Sequence, residues 1–466
     1  MSTTTTTQLE PAARVAEDHE LSELGQTSRG QVLGQTPPAG GDVGPEEKKK
    51  LDRKTILKLT SAGFCFFVAG VNDGSIGALV PYVIREYGVN TAIVSSIYAA
   101  SFLGWLLTAL TNTHLAQFLD LGSMLALGAS FQILSHALRA WKPPFPLYTL
   151  SFCLASLGQA FQDTHANTFV AGVGAAHRWL AFIHAMYMAG CLTGPFVATA
   201  VAARGETARW YLFYLFPLAL GVVNLAWVLV AFRDSLSIRR KSSSSPSSSA
   251  SSSSAGGPEG SRNKGALKLI RQTLGSREIW LISLFFFFFL GAVLTASGWV
   301  VEYLVVVRSG DLSKMGYVPV GFNGGAFLGR LLLAEPTYRL GERRMVCIYS
   351  ILCVGLQLVF WLVPNIIAAS VAISFLGFFS GPFFATGISV ASKLFHPESR
   401  STALAFLFVF AQIGGCLFPI VTGVIAAGSG VAVLQPILVS LLGATVISWL
   451  MVPKPKESGN AALHQE

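Results

Sequence analysis

The chain of 466 residues is 52% hydrophobic and only 12% charged, a balance that excludes an ordinary soluble enzyme and describes a protein crossing a membrane many times. Its net charge of +9 does not indicate a nucleic-acid partner, because the basic residues gather between apolar runs instead of alternating with aromatics on one exposed face. The six cysteines lie inside apolar runs without metal-ligand spacing and read as small buried hydrophobes.

Residues 1–58, rich in Thr, Gly, Pro and Glu, predict a disordered cytoplasmic tail closed by the basic collar EEKKKLDRKTILK. The tail has no apolar stretch of its own, so no cleaved signal peptide is expected and the first span serves as its own insertion signal. Apolar runs of about 20 residues, the length a bilayer core demands, then recur. The first six are expected near 60–84, 92–113, 121–141, 146–170, 180–203 and 210–232, forming an N-terminal six-helix bundle over 59–233. The Ser-rich string RRKSSSSPSSSASSSSAGGPEG marks a cytoplasmic linker over 234–277, a composition that builds no packed core. Six more spans follow near 279–305, 315–335, 345–363, 366–391, 401–427 and 431–452, a C-terminal bundle over 278–452 with a cytoplasmic tail at 453–466. The expected fold is an all-α membrane protein of twelve transmembrane helices in two pseudo-symmetric six-helix bundles.

Positive residues are retained on the cytoplasmic side, and with both termini there the count of Lys and Arg is about 23 against about 7. The seven on the other side are Arg85, Arg139, Lys142, Arg204, Arg209, Arg308 and Lys314. Two short strings repeat at one offset. FLGWLL begins at Phe102 and FLGRLL at Phe327, GCL begins at Gly190 and Gly415, and 327 − 102 and 415 − 190 both equal 225. One shared offset argues for an internal duplication about an axis along the membrane normal.

The segment SLGQAFQDTHANTFVAG, Ser156 to Gly172, sets polar groups inside the fourth apolar run. At roughly 100° per residue, Gln159, Gln162, Asp163 and Asn167 share one helix face, whereas His165 points away and reads as a packing contact. Unpaired polar groups in hydrocarbon cost several kcal/mol, so that face is expected to line the bundle interior or a wet cavity. Asp73, beside Asn72 in GVNDGS of the first span, is the other deep acid of the first half. Desolvation and a nearby carboxylate both favour the protonated form of an acid, so such a carboxyl can load a proton on one side and release it on the other. A structural role for either acid, bonded to a neighbouring amide, is the alternative.

Twelve spans in two parallel halves resemble the major facilitator superfamily. VNDGSIGALVPYV, GQAFQDTHANTFVAG, GYVPVGFNGGAFLGRLLL and YRLGERR are similar to a fungal branch related to fucose-permease-type sugar permeases. The resemblance implies a secondary active transporter working by alternating access, with coupling acids on the first and fourth spans, the spans that carry Asp73 and Asp163. Displaced by 225, these positions are Gly298 and Ile388, so the second half supplies no equivalent acids. The superfamily loop after the second span is degenerate in NTHLAQFLDLGS, which keeps Asp120 and Gly122, and better preserved in YRLGERR.

Substrate contacts are expected from Asn72, Gln159, Gln162, Asn167, His184, Tyr187, Trp299, Asn323 and Gln412, each a polar or aromatic group within an apolar span. Arg330, Arg339, Arg343 and Arg344 are expected to form a cytoplasmic gate. Glu302 lies near Arg308 and reads as its ion partner or a substrate group. GPF at Gly194 to Phe196 resembles the end of a drug-antiporter motif but lacks its glycines, and Pro195 reads as a kink-former. No nucleophile, phosphate loop or metal set appears, so neither an enzyme nor a cofactor is expected.

The expected function is movement of a small polar, sugar-like solute coupled to protons. Export of a fungal secondary metabolite is the alternative within the fold, and a nontransporting membrane receptor or scaffold the alternative of another class. The expected partners are the solute, protons and the lipid bilayer, with no nucleic acid. The chain is expected to be a monomer in the plasma membrane rather than the vacuolar membrane.

Overall fold

In a bilayer core every backbone N–H and C=O must be satisfied within the protein, and an apolar run answers this by closing its own hydrogen bonds as a helix. The structure, a computed structural model, describes residues 52–174, 176–204, 209–237, 271, 273–395 and 400–454. The N-terminal tail to residue 51, the linker over 238–270 and the residues after 454 lie outside the described residues.

Helices α1 (Arg53–Tyr87), α2 (Ser96–Leu115), α3 (Leu121–Ala140), α4 (Phe145–Ala171), α5 (Ala176–Ala202) and α6 (Leu215–Ala231) form the first half. The second half contains α7 (Arg277–Val306), α8 (Val318–Leu332), α9 (Glu342–Leu362), α10 (Ile366–Leu394), α11 (Arg400–Ser429) and α12 (Leu434–Met451). A turn at Gly381 and Pro382 interrupts α10, and no strand occurs among the described residues. Most helix ends fall within four residues of those expected. The exceptions are α6, whose α-helix starts at Leu215 after a 3-10 turn over Trp210–Tyr214, and α1, which begins at Arg53, so the last residues of the basic collar are helical. There Lys58 bonds Asp234 beyond α6 at 2.6 Å and holds that exposed carboxyl below its usual range.

Ten helical segments among the described residues are long and apolar enough to cross a membrane alone. The other two are informative. Helix α8 has only 15 residues, and α4 is long enough but diluted by the polar groups of its second half. Exposed Leu110, Leu362 and Ile367, with many other large apolar side chains, cover the outside of the helices, as a lipid-facing belt requires.

The two halves repeat one packing scheme. In the first, α1 packs on α5 and α6, α4 on α2 and α3, and α3 on α6; in the second, α7 packs on α11 and α12, α10 on α8 and α9, and α9 on α12. The repeated strings mark crossings of that scheme. A Cβ on Gly104 of FLGWLL would strike the Cys153 carbonyl of α4, and one on Gly329 of FLGRLL would strike the Phe378 carbonyl of α10. Small residues at these points allow the close backbone approach that lipid itself does not drive. A third pair at the same offset, 357 − 132 = 225, was not singled out from sequence: Gln132 donates to Gln162 at 2.8 Å and Gln357 to Gln435 at 2.5 Å.

Residues 52, 237, 271 and 454 all end at one face of the bundle, the terminal end; residues 88–90, 203–204, 209 and 430–433 lie at the distal end. Two hydrogen bonds join the halves among the described residues. Thr91 donates to the Gly423 carbonyl at 2.8 Å, and Asn323 to the Cys191 carbonyl at 3.0 Å. Gly77 of α1 also lies against Ser297 of α7, and Gly316 against Thr199 of α5. The halves are therefore closed on each other toward the distal end.

Candidate functional site

The site begins at the crossing of α1 and α5. Gly70 and Gly74 lie so close to the Tyr187 and Cys191 carbonyls that neither position has room for a Cβ. This approach brings the Tyr187 hydroxyl to Asp73 Oδ2 at 2.9 Å. Gln159 of α4 donates to the same oxygen at 2.7 Å, and Asn72 donates to Oδ1 at 3.0 Å. Three donors from three helices therefore converge on one carboxyl group.

Behind Asn72 stands Arg139, 0% exposed. Its Nη1 donates to Asn72 Oδ1 at 2.9 Å, its Nε to Ser151 Oγ at 2.8 Å and its Nη2 to Ser135 Oγ at 2.7 Å. The guanidinium also lies 3.7 Å from the Phe152 ring centroid. The count of charges outside the membrane had assigned Arg139 to a loop; the structure instead buries it inside the first half. The signal was present in the spacing Gln132, Ser135, His136, Arg139, one polar face of α3.

The polar face of α4 divides. Gln159 is buried against Asp73, and Asp163 is partly exposed, within electrostatic reach of Asp73 and of Cys65. Asp163 Oδ1 is buried and has no hydrogen-bond partner. Asn167 is half-buried one turn further toward the terminal end. Gln162, expected among the substrate contacts, is 1% exposed, and both ends of its amide are engaged inside the half. It donates to the Leu125 carbonyl at 3.0 Å and accepts from Gln132 at 2.8 Å and Asn224 at 3.2 Å. His165 meets Asn112 of α2 at 2.8 Å, the packing contact expected of it.

His184 lies edge-on to Phe66 with ring centroids 5.3 Å apart and 6.4 Å from the Phe384 ring of α10, so it looks across to the second half. Asn323 also spans the halves, through its bond to the Cys191 carbonyl one turn from Tyr187. Gln412 stays within α11, 3.7 Å from Cys416 Sγ. Trp299, expected at the substrate, is 0% exposed, and its indole donates to the Pro419 carbonyl of α11 at 3.1 Å. It is a packing element of the second half. Glu302 does not pair with Arg308, which instead donates to the carbonyls of Phe360 and Trp361 at the end of α9.

The expected gate arginines do not bridge the halves. Arg339 pairs with Glu335 at 2.5 Å, both exposed, Arg343 donates to the Leu450 carbonyl at 3.0 Å, and Arg344 is exposed. Glu342 of YRLGERR accepts from Ser389 at 2.7 Å and Lys393 at 2.6 Å, fastening α9 to α10 of its own half. In the degenerate first copy Asp120 accepts from Ser237 after α6, again within its own half. Arg330 departs further from expectation. It is half-buried, lies within electrostatic reach of Tyr187, Cys191 and His184, and belongs with the interior rather than with YRLGERR.

Chemically, the cluster around Asp73 can report a proton. A carboxylate only accepts, whereas a protonated carboxyl also donates its own O–H and needs an acceptor within reach, which a neighbouring donor supplies by reversing. Asn72 cannot reverse easily, because Arg139 donates to its amide oxygen and so fixes its amide nitrogen toward Asp73. Gln159 and Tyr187 are free to do so. No group of His, Cys, Asp and Glu suited to a metal ion occurs among the described residues.

Comparison with known proteins agrees with this architecture. The family model described as Major Facilitator Superfamily matches residues 62–362 and again 311–466. The chain is 25% identical over 416 residues, 85% of its length and 82% of the relative's, to "Bypass of stop codon protein 6" of Saccharomyces cerevisiae. Among solved structures it is similar to a bacterial homologue of the human lysosomal transporter Spinster in an inward-facing, unoccupied conformation, with TM-score 0.63, 12% identity, and 86% and 95% of the two chains covered. It is equally similar to a D-xylose-proton symporter, with TM-score 0.63, 12% identity, and 86% and 98% covered. The nucleoside transporter NupG gives TM-score 0.61, 14% identity, and 84% and 98% covered.

Proposed function

Since the chain belongs to the major facilitator superfamily and is a transporter rather than an enzyme, we propose that it moves a small polar, sugar-like solute by alternating access coupled to protons. The observation that carries this reading is the carboxyl of Asp73, held by three donors of which one is fixed and two are reversible. Loading a proton turns Gln159 or Tyr187, and Tyr187 lies one turn from the Cys191 carbonyl that binds Asn323 of the other half. Proton state and the rocking of the halves are thereby connected through α5. Asp163, with an unsatisfied oxygen beside Asp73, is the second coupling acid.

Asn72, Gln159, Asn167, His184 and Tyr187 offer the polar contacts of the first half, and Asn323 and Gln412 those of the second. The likeness of VNDGSIGALVPYV and GQAFQDTHANTFVAG to fucose-permease-type permeases supports a sugar-like solute. The charge balance supports cytoplasmic termini in a plasma-membrane monomer, so that the distally closed state is closed to the outside.

The experiment is uptake of a radiolabelled sugar panel into proteoliposomes across a pH gradient, with solute binding measured in parallel. Asp163→Asn retains binding but loses proton-driven accumulation. Undiminished accumulation removes Asp163 from coupling, and uptake that ignores the gradient in the unmodified protein refutes the reading.

A further inference from the structure

The two buried or half-buried arginines of the interior are treated differently. Arg139 donates to Asn72, Ser151 and Ser135 and stacks on Phe152. Arg330 of α8 has no hydrogen bond or ion pair among the described residues, and its Nε is both shut off from solvent and without a partner. A guanidinium in such a place is costly unless an anion meets it.

The groups in reach cannot supply that anion. Tyr187 already donates its hydroxyl to Asp73, His184 lies between Phe66 and Phe384, and Cys191 is a thiol. Asp73 is satisfied by its three donors, and Asp163 lies within electrostatic reach of Asp73, Cys65 and Tyr187. The first half thus presents two acids and amides, and the second half a guanidinium whose Nε has no partner.

We infer that the solute carries a carboxylate, which Arg330 binds bidentately, while the amides of the first half bind its hydroxyl groups. A guanidinium fork matches a carboxylate in two parallel hydrogen bonds. The charge count selects a monoanion. One guanidinium carries a single positive charge and suits a single negative charge, whereas a phosphate group brings about −1.5 to −2 and leaves part of its charge unmatched. The solute class is a hydroxylated monocarboxylate, of which sugar acids are the members that retain a sugar-like body. This deepens the proposed function and rests on it for the coupling to protons.

The test uses the full chain in proteoliposomes with gluconate and galacturonate as monoanions, galactose as the neutral sugar and glucose 6-phosphate as the dianion, recording solute and proton flux together. The expected result is saturable, proton-linked uptake of gluconate or galacturonate in preference to the other two. Arg330→Gln raises the Kd for the transported acid about 100-fold, the loss of a charged bidentate contact, and Arg330→Lys restores part of the affinity. Thermal unfolding in detergent verifies that both variants fold.

Proton-linked uptake of galactose without uptake of either acid overturns the carboxylate assignment and leaves the transport reading standing. Acid uptake without proton flux does the reverse. Preference for glucose 6-phosphate, or an unchanged Kd in folded Arg330→Gln, overturns the inference, and failure of every probe to move overturns both.

Discussion

Replacing Arg139 by Met separates a positioning role from a structural one. At first sight the change removes bonds to Asn72, Ser151 and Ser135 and a ring contact at 3.7 Å, with each interhelical bond contributing about 0.6 kcal/mol in membrane proteins and the desolvated cation–π contact about 2. The same change also relieves the cost of a buried charge, several kcal/mol in the opposite direction. The serines are not orphaned, since Ser135 still donates to the Ser151 carbonyl at 2.7 Å and Ser151 to the Tyr148 carbonyl. Only Asn72 Oδ1 loses its partner. Arg139→Met is therefore expected to shift stability by no more than about 2 kcal/mol, the cost of one unmet acceptor.

The effect on coupling is larger. A charge-assisted bond is worth roughly 1.5–3 kcal/mol, so Arg139 holds the Asn72 amide in one orientation by a factor of about 10 to 150. Without it Asn72 can turn its oxygen toward a protonated Asp73, and Gln159 and Tyr187 need not respond. The proton-to-solute flux ratio, measured in proteoliposomes with a pH-sensitive dye and labelled solute, should fall to about half or less. An unchanged ratio in a variant that unfolds at the original temperature would refute the reasoning.

Tyr187→Phe leaves Asp73 Oδ2 with one donor, and proton-driven accumulation should drop several-fold with solute binding reduced less; equal loss of both in uptake and binding assays contradicts the assignment. Asn323→Ala removes one of the two hydrogen bonds between the halves among the described residues, worth about 1 kcal/mol, and should raise the alkylation rate of Ser297→Cys near the distal seam about fivefold. Gly104→Val and Gly329→Val should each prevent stable folding, read as loss of monodisperse protein in detergent, since the added atoms meet backbone rather than movable side chains.

Much of the architecture was legible because the constraint that creates it is crude. A bilayer forces apolar runs into helices of nearly fixed length, so the ends of α3, α7 and α9 could be read from hydropathy alone. The collar at the start of α1 could not, because its polar composition carries no apolar pattern and its Lys58 meets Asp234 across 176 positions. The polar face of α4 was also legible, but spacing gives only the direction of a side chain around its own axis. Whether that direction meets a shared interior, as at Gln159, or a neighbouring helix, as at Gln162 and Trp299, depends on packing among helices far apart in the chain. Arg139 and Arg330 were misplaced by sequence proximity, one to a basic loop and one to YRLGERR. In each case a long side chain reaches inward from a helix end.

The central claim is that Asp73 carries the transported proton, and the direct measurement is solute-driven acidification of the lumen in proteoliposomes without an imposed gradient. With a solute taken up from the panel of sugars and sugar acids, the unmodified protein should acidify the lumen in proportion to uptake, and Asp73→Asn should exchange labelled solute with no acidification. Acidification that persists in Asp73→Asn, or solute entry by the unmodified protein with the lumen pH constant, would contradict the account.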